Sequence, residues 1–132
     1  MWIRSFLITL SIFTVIDLIW LGIIAQGLYQ HFLSHLMRET PFWPAAFLFY
    51  FCYIIGLMYF VINPAIEAKS SKQALIRGSF FGFITYMTYE FTNWAVIAAW
   101  PLGIVFIDIM WGVILCSLVS FFSSYVYLRF FS

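Results

Sequence analysis

Apolar residues run through this chain in long unbroken blocks instead of alternating at every second position. Continuous runs of this length select helices over strands. The first block, Ser5 to Leu28, holds a single charged residue, Asp17. The second, Phe42 to about Ile62, holds none; Asn63-Pro64 marks its end, since proline cannot continue a helix and restrains the residue before it. From Gly78 to Leu128 the only charges are Glu90 and Asp108. As one helix that stretch would measure about 77 Å against a hydrocarbon core of about 30 Å, so it must fold back. Trp100-Pro101-Leu102-Gly103 is the best punctuation for the reversal. The pattern predicts an all-α, four-transmembrane-helix bundle in a single domain over 1–132, with spans at about 5–28, 42–62, 78–99 and 102–128. The connection 29–41 and the charged segment 65–77 read as polar loops.

Composition supports the bilayer as solvent. Of 132 residues, 65% are hydrophobic and 8% charged, where soluble domains carry about 25% charged residues. A net charge of +1 gives no support for a nucleic-acid partner. Cys52 and Cys116 both fall inside predicted spans and read as small buried hydrophobes, without metal-ligand spacing. Arg4 followed by an apolar run resembles a signal peptide. The run exceeds an h-region of about 7–15 residues and has Asp17 at its middle, so a retained helix is the better reading.

Lys and Arg set the orientation. In a four-span chain the N-terminus, the 65–77 segment and the C-terminus share one side, with Arg4, Lys69, Lys72, Arg77 and Arg129; only Arg38 lies opposite. Both termini are expected in the cytoplasm. Trp2, Trp43, Trp100 and Tyr29 fall near span ends, where amphipathic rings settle at the interface.

Asp17, Glu90 and Asp108 are the candidate chemistry. An acid at the bilayer centre costs about 2.5–3.5 kcal/mol on translocon scales, so something must offset it. Glu90 and Asp108 stand equally far from position 99, and a hairpin there sets them level. Asp17 and Glu90 each lie about 20 Å beyond an inner-side arginine, which places all three acids in the outer half of the membrane. No Lys or Arg occurs within a span to neutralise them. They would be protonated, share protons or hold a cation from outside; the structural alternative is interhelical hydrogen bonding to Tyr, Thr and Asn.

Tyr86, Glu90 and Asn93 follow i, i+4, i+7 with Tyr89 adjoining, a polar stripe suited to the bundle interior. Ile16-Asp17-Leu18-Ile19-Trp20 recurs as Ile107-Asp108-Ile109-Met110-Trp111, setting Trp20 and Trp111 on the same faces as their acids. The recurrence links the first and fourth spans, which no simple duplication produces, so it reflects a repeated local requirement or chance. An indole N–H can donate to a carboxylate, and its face can hold a cation. His31, His35 and Glu39 would share a face if helical; an interfacial turn explains them, and no metal or other cofactor is assigned. Gly78 and Gly82 form a small-xxx-small pair that serves either packing within the bundle or a homo-oligomer contact. No nucleophile elbow, phosphate loop or HExxH signature appears.

Asp17-x-x-Trp20, Tyr29, Pro41, Tyr50, Tyr53, Gly56, Pro64, Tyr86, Tyr89-Glu90-x-Thr92-Asn93, Trp100-Pro101 and Asp108-x-x-Trp111-Gly112 span nearly the whole length. In this order and spacing the chain resembles a family of small bacterial four-helix membrane proteins known as a domain of unknown function. In that pattern the position of Glu90 is more often Asp. The resemblance implies a multi-pass inner (plasma) membrane protein and carries no activity with it.

Three functions fit these residues. The first is a binding or transport module whose acidic–aromatic cavity takes a small cation, amine or amphiphile, with Asp17, Glu90 and Asp108 supplying charge. Trp20, Tyr86, Tyr89 and Trp111 would wall it, with Asn93 on the same stripe. The second is a membrane enzyme or accessory subunit in lipid modification, using a carboxyl as general acid or base. The third is a structural subunit of a membrane complex.

Overall fold

The computed structural model describes residues 1–132, which form helices and turns and no strands. Four long helices carry the chain: α1, Trp2–Leu33; α2, Trp43–Glu67; α3, Ser71–Val96; and α4, Leu102–Phe130. By length and composition α1, α2 and α4 are able to cross a membrane. α3 is a 26-residue helix that includes Lys72, Gln73, Arg77 and Glu90. Exposed side chains such as Ile3, Ile23, Phe47 and Phe80 cover the outer faces. Apolar surface this extensive suits lipid and not water.

Two helices pass through a π-helical stretch. In α1 it covers Trp20–Ala25, and in α2 Met58–Ile62. The second corrects the reading of Asn63-Pro64 as a helix end. The Asn63 N–H bonds the Met58 carbonyl, five residues back. That widened turn accommodates a proline that can neither donate nor tolerate a tight preceding turn. The helix therefore runs on to Glu67, and most of the expected 65–77 loop is helical.

Only residues 68–70 connect α2 to α3. Lys69 takes the left-handed conformation (φ 55°), with Lys69 N–H on the Ile66 carbonyl and Ser70 N–H on the Ala65 carbonyl. These two bonds are a Schellman cap. Ser70 then caps α3, its Oγ accepting from the Gln73 N–H at 3.1 Å. The reversal between α3 and α4 falls at 97–101, where Ile97 is extended and Pro101 precedes the first turn of α4.

Both termini and the α2–α3 turn gather at one end. The Arg4 guanidinium lies 5.9 Å from the Phe131 ring centroid, and Ser5 Oγ donates to Asn63 Oδ1 at 2.8 Å. α1 and α4 are thus antiparallel neighbours. Phe13, Leu57, Met58, Ile62 and Leu115 form the apolar core towards this end. Beside it, α3 and α4 meet through small residues. A Cβ on Gly82 would strike the Gly112 carbonyl, and one on Gly78 would meet the Cys116 carbonyl and Ser120 Oγ. The Gly78–Gly82 pair therefore packs within the bundle. Cys116 is buried in this seam, whereas Cys52 is exposed on α2, which corrects its reading as a buried residue.

Candidate functional site

At the opposite end the helices stand apart around a cavity of about 700 Å³. Six of the eight residues singled out from sequence line it: Asp17, Trp20, Tyr86, Tyr89, Asp108 and Trp111. Glu90 faces an adjoining pocket of about 300 Å³, with Asp108, Tyr29 and Tyr89 common to both walls. Asn93, the last residue of the stripe, lies on neither wall; it is half-buried near the end of α3, and its carbonyl accepts the Ile97 N–H that closes the helix.

The acids are held without any cationic side chain. Asp17, Glu90 and Asp108 are 8%, 1% and 7% exposed, and neither wall contains Lys or Arg. Tyr50 of α2 donates to Asp17 Oδ2, and the Trp111 indole lines the same cavity wall. Tyr29 donates to Asp108 Oδ1 at 3.1 Å and itself accepts from Trp20 Nε1 at 3.3 Å. Glu90 Oε1 accepts from Trp100 Nε1 at 3.1 Å. The Glu90 and Asp108 carboxyls are in hydrogen-bonding contact as well. Two carboxyls so placed can share a proton, one donating and the other accepting.

The recurring Asp-x-x-Trp segments meet face to face. Trp20 and Trp111 stack with centroids 4.4 Å apart and planes 7° from parallel. The Trp20 indole serves the acid of the other helix, reaching Asp108 through Tyr29. This differs from an acid paired with the indole on its own helix. The indole N–H lies at the far side of a rigid ring, so stacking across two antiparallel helices aims it at the partner. Trp20 opens the π-helical stretch of α1, a local widening often found at functional sites.

Local glycine chemistry positions the Tyr86 ring. A Cβ on Gly112 would collide with that ring, so only glycine lets the phenol lie flat against α4 on its way into the cavity. Tyr53 completes the wall, its hydroxyl 2.8 Å from Thr85 Oγ1 and 3.0 Å from Cys116 Sγ.

Sequence reasoning missed Tyr29, Tyr50, Tyr53 and Trp100 as parts of the site. Tyr29 and Trp100, expected as interfacial anchors, turn inward onto Asp108 and Glu90. Tyr50 and Tyr53 had a usable signal. They are phenols in a span without charges, and a phenol inside a membrane needs a partner. The other candidate cluster does not form, because α1 stops at Leu33 and leaves His31, His35 and Glu39 off any common helical face.

The arrangement can hold a positive charge: carboxyls, phenol oxygens and indole faces converge on one cavity, and most of its remaining surface is apolar. No curated protein and no solved structure matches the chain. The family model described as "Predicted membrane protein (DUF2177)" matches residues 2–125, a span that includes every side chain of the cavity. The chain belongs to that membrane protein family, whose function is unknown.

Proposed function

We propose that the protein is a binding or transport module of the inner membrane that holds a small amphiphile by its cationic or protonated-amine head. The observation that carries this reading is a cavity with Asp17 and Asp108 in one wall, no basic residue, and ten hydrophobic residues among fourteen. A cation in that setting gains from nearby carboxyls at reduced dielectric and from the faces of Trp20, Trp111 and the tyrosines. Its volume lies within the range of about 300–1,000 Å³ usual for small-molecule sites. The apolar majority of the lining favours a ligand with a hydrocarbon part over a hydrated ion.

The same reading takes α3 as a fourth span with both termini in the cytoplasm. Its 26 residues correspond to about 39 Å of helix, more than the hydrocarbon core requires. Arg4, Lys69, Lys72, Arg77 and Arg129 belong to the end of the bundle where the termini meet, which supports a cytoplasmic placement. A cysteine at Ser34 is expected to react with an impermeant thiol reagent added outside whole cells, and one at Ser70 to stay unlabelled. The reverse pattern would overturn the orientation.

Ligand binding is tested in lipid nanodiscs with dodecyltrimethylammonium, dodecyl sulfate and dodecanol. Saturable binding is expected for the ammonium alone. The double variant Asp17→Asn, Asp108→Asn should lose it while melting like the wild type, because an amide keeps the shape and most of the hydrogen bonds. Equal saturation by the sulfate, or full retention of the ammonium by the double variant, would sink the reading. One observation favours the alternative of a lipid-modifying enzyme, namely the carboxyl contact between Glu90 and Asp108. It calls for a mass-shifted product when labelled phospholipid is incubated with the protein.

A further inference from the structure

The cavity continues beyond the acids. A groove of about 490 Å³ follows the crevice between α2 and α3, walled by Phe60 and Val61 on one side and by Ile76, Phe80 and Phe81 on the other. Ile84 and Thr85 belong to both the groove and the cavity, so the two meet there. Phe60, Ile76 and Phe80 are each well over half exposed on the lipid-facing surface. Leu21, Phe49 and Ile84, also exposed, line the cavity's own side opening. Arg77 closes the groove's far end. From Tyr89 at the cavity to Arg77 is about 18 Å along α3, somewhat more than half of a hydrocarbon core of about 30 Å. That is about the length of one alkyl chain of a leaflet.

We infer that cavity and groove form one lateral site for a single-chain cationic amphiphile drawn from the bilayer, its head against Asp17 and Asp108 and its alkyl chain along the α2–α3 groove towards Arg77. The inference rests on the proposed function and adds the route of entry and the surface that holds the chain. Charge decides the polarity. An anionic amphiphile anchored at Arg77 would press its chain end against buried carboxyls whose partners are neutral phenols, with no cation to balance any charge they carry. A cationic head meets those carboxyls directly and leaves the chain to the groove's phenylalanine and aliphatic wall, with Arg77 at its far end. The junction favours a chain over a bulky body. There the Tyr53–Thr85 hydrogen bond ties α2 to α3, and the Phe81 ring lies beside Gly56 of α2, 3.8 Å from where a Cβ would be. The chain then passes on the lipid side of that tie, over Ile84.

The test uses hexadecyltrimethylammonium with a diazirine at the chain end, and the matching hexadecyl sulfate, in nanodiscs holding the full-length protein. After irradiation the labelled residues are mapped by mass spectrometry. Ammonium labelling is expected to concentrate on Phe60, Ile76 and Phe80, to be competed by unlabelled ammonium, and to be lost in the Asp17→Asn, Asp108→Asn variant. Ile76→Trp, which fills the groove at a position outside the cavity, should reduce groove labelling several-fold and spare binding of tetramethylammonium. If tetramethylammonium binds in an Asp17- and Asp108-dependent way but chain-end labels scatter over all lipid-facing helices, the groove inference fails and the proposed function stands. If neither cation binds saturably, both fail. Selective groove labelling by the sulfate would overturn the inferred polarity.

Discussion

The two ends of this bundle are built on opposite rules. At the end that holds the termini, α3 and α4 approach through Gly78, Gly82, Gly112 and Ser120 until an added methyl would strike backbone or side chain. Phe13, Leu57, Met58 and Ile62 are at most 1% exposed there. At the other end no residue of α2 from Trp43 to Tyr50 is buried, and Asp17, Glu90 and Asp108 are among the few side chains removed from the surface. Without a hydrophobic drive between helices in lipid, association depends on close van der Waals packing and interhelical hydrogen bonds. The packed end supplies the first and the open end the second. A rigid half can therefore hold helices apart around buried acids that would not pack on their own, which is how functional sites are commonly supported.

The largest effect should come from placing a leucine in the packed end, set against one placed in the open end. Gly82→Leu drives a side chain into the Gly112 carbonyl, and overpacking of this kind costs about 1–3 kcal/mol or more. A large fall in the melting temperature in detergent is expected. Thr88→Leu, six residues further along α3 on the wall of the cavity, should melt close to wild type. Equal losses from the two would break the contrast between the ends.

A middle-sized effect should follow from Tyr50→Phe. It removes the phenol that donates to Asp17 and leaves a buried carboxyl without that donor, a loss of about 1–3 kcal/mol. The sharper measurement is a double-mutant cycle with Asp17→Ala, in which the two losses should not add, because both break one contact. Simple additivity would mean that the hydrogen bond contributes nothing to holding α2 against α1.

Ser120→Ala should give the smallest effect. Ser120 Oγ is fully buried yet has no hydrogen-bond partner within the protein, so its removal orphans no protein group. A change below about 1 kcal/mol is expected by thermal melting. A loss as large as that of Tyr50→Phe would show that the packed end, too, is held by polar contacts.

Much of the molecule was legible in the chain because it depends on local chemistry. Run length and continuity determined the helical class and the four helices. Trp100-Pro101 marked the reversal that the structure places at 97–101. The three acids stood out because any charge is costly in an apolar run, and the equal spacing of Glu90 and Asp108 from the turn did bring their carboxyls into contact. What failed locally was Pro64, since a π-helical turn lets a helix carry a proline that hydropathy and propensity read as a stop.

The tertiary structure alone decided which faces meet. A 3.6-residue period tells which side chains share a face, but not the neighbour that face turns towards or the register at which two helices dock. Stacking of Trp20 on Trp111, the crossing of the Trp20 indole to Asp108 through Tyr29, and the inward turn of Tyr29 and Trp100 all depend on that rotation and register. So does the position of Asn93, which keeps its helical place on α3 but lies beyond both pocket walls. The groove between α2 and α3 has no sequence signature, because it is the space left beside the few contacts, such as Tyr53–Thr85 and Phe60–Phe81, at which the two helices meet.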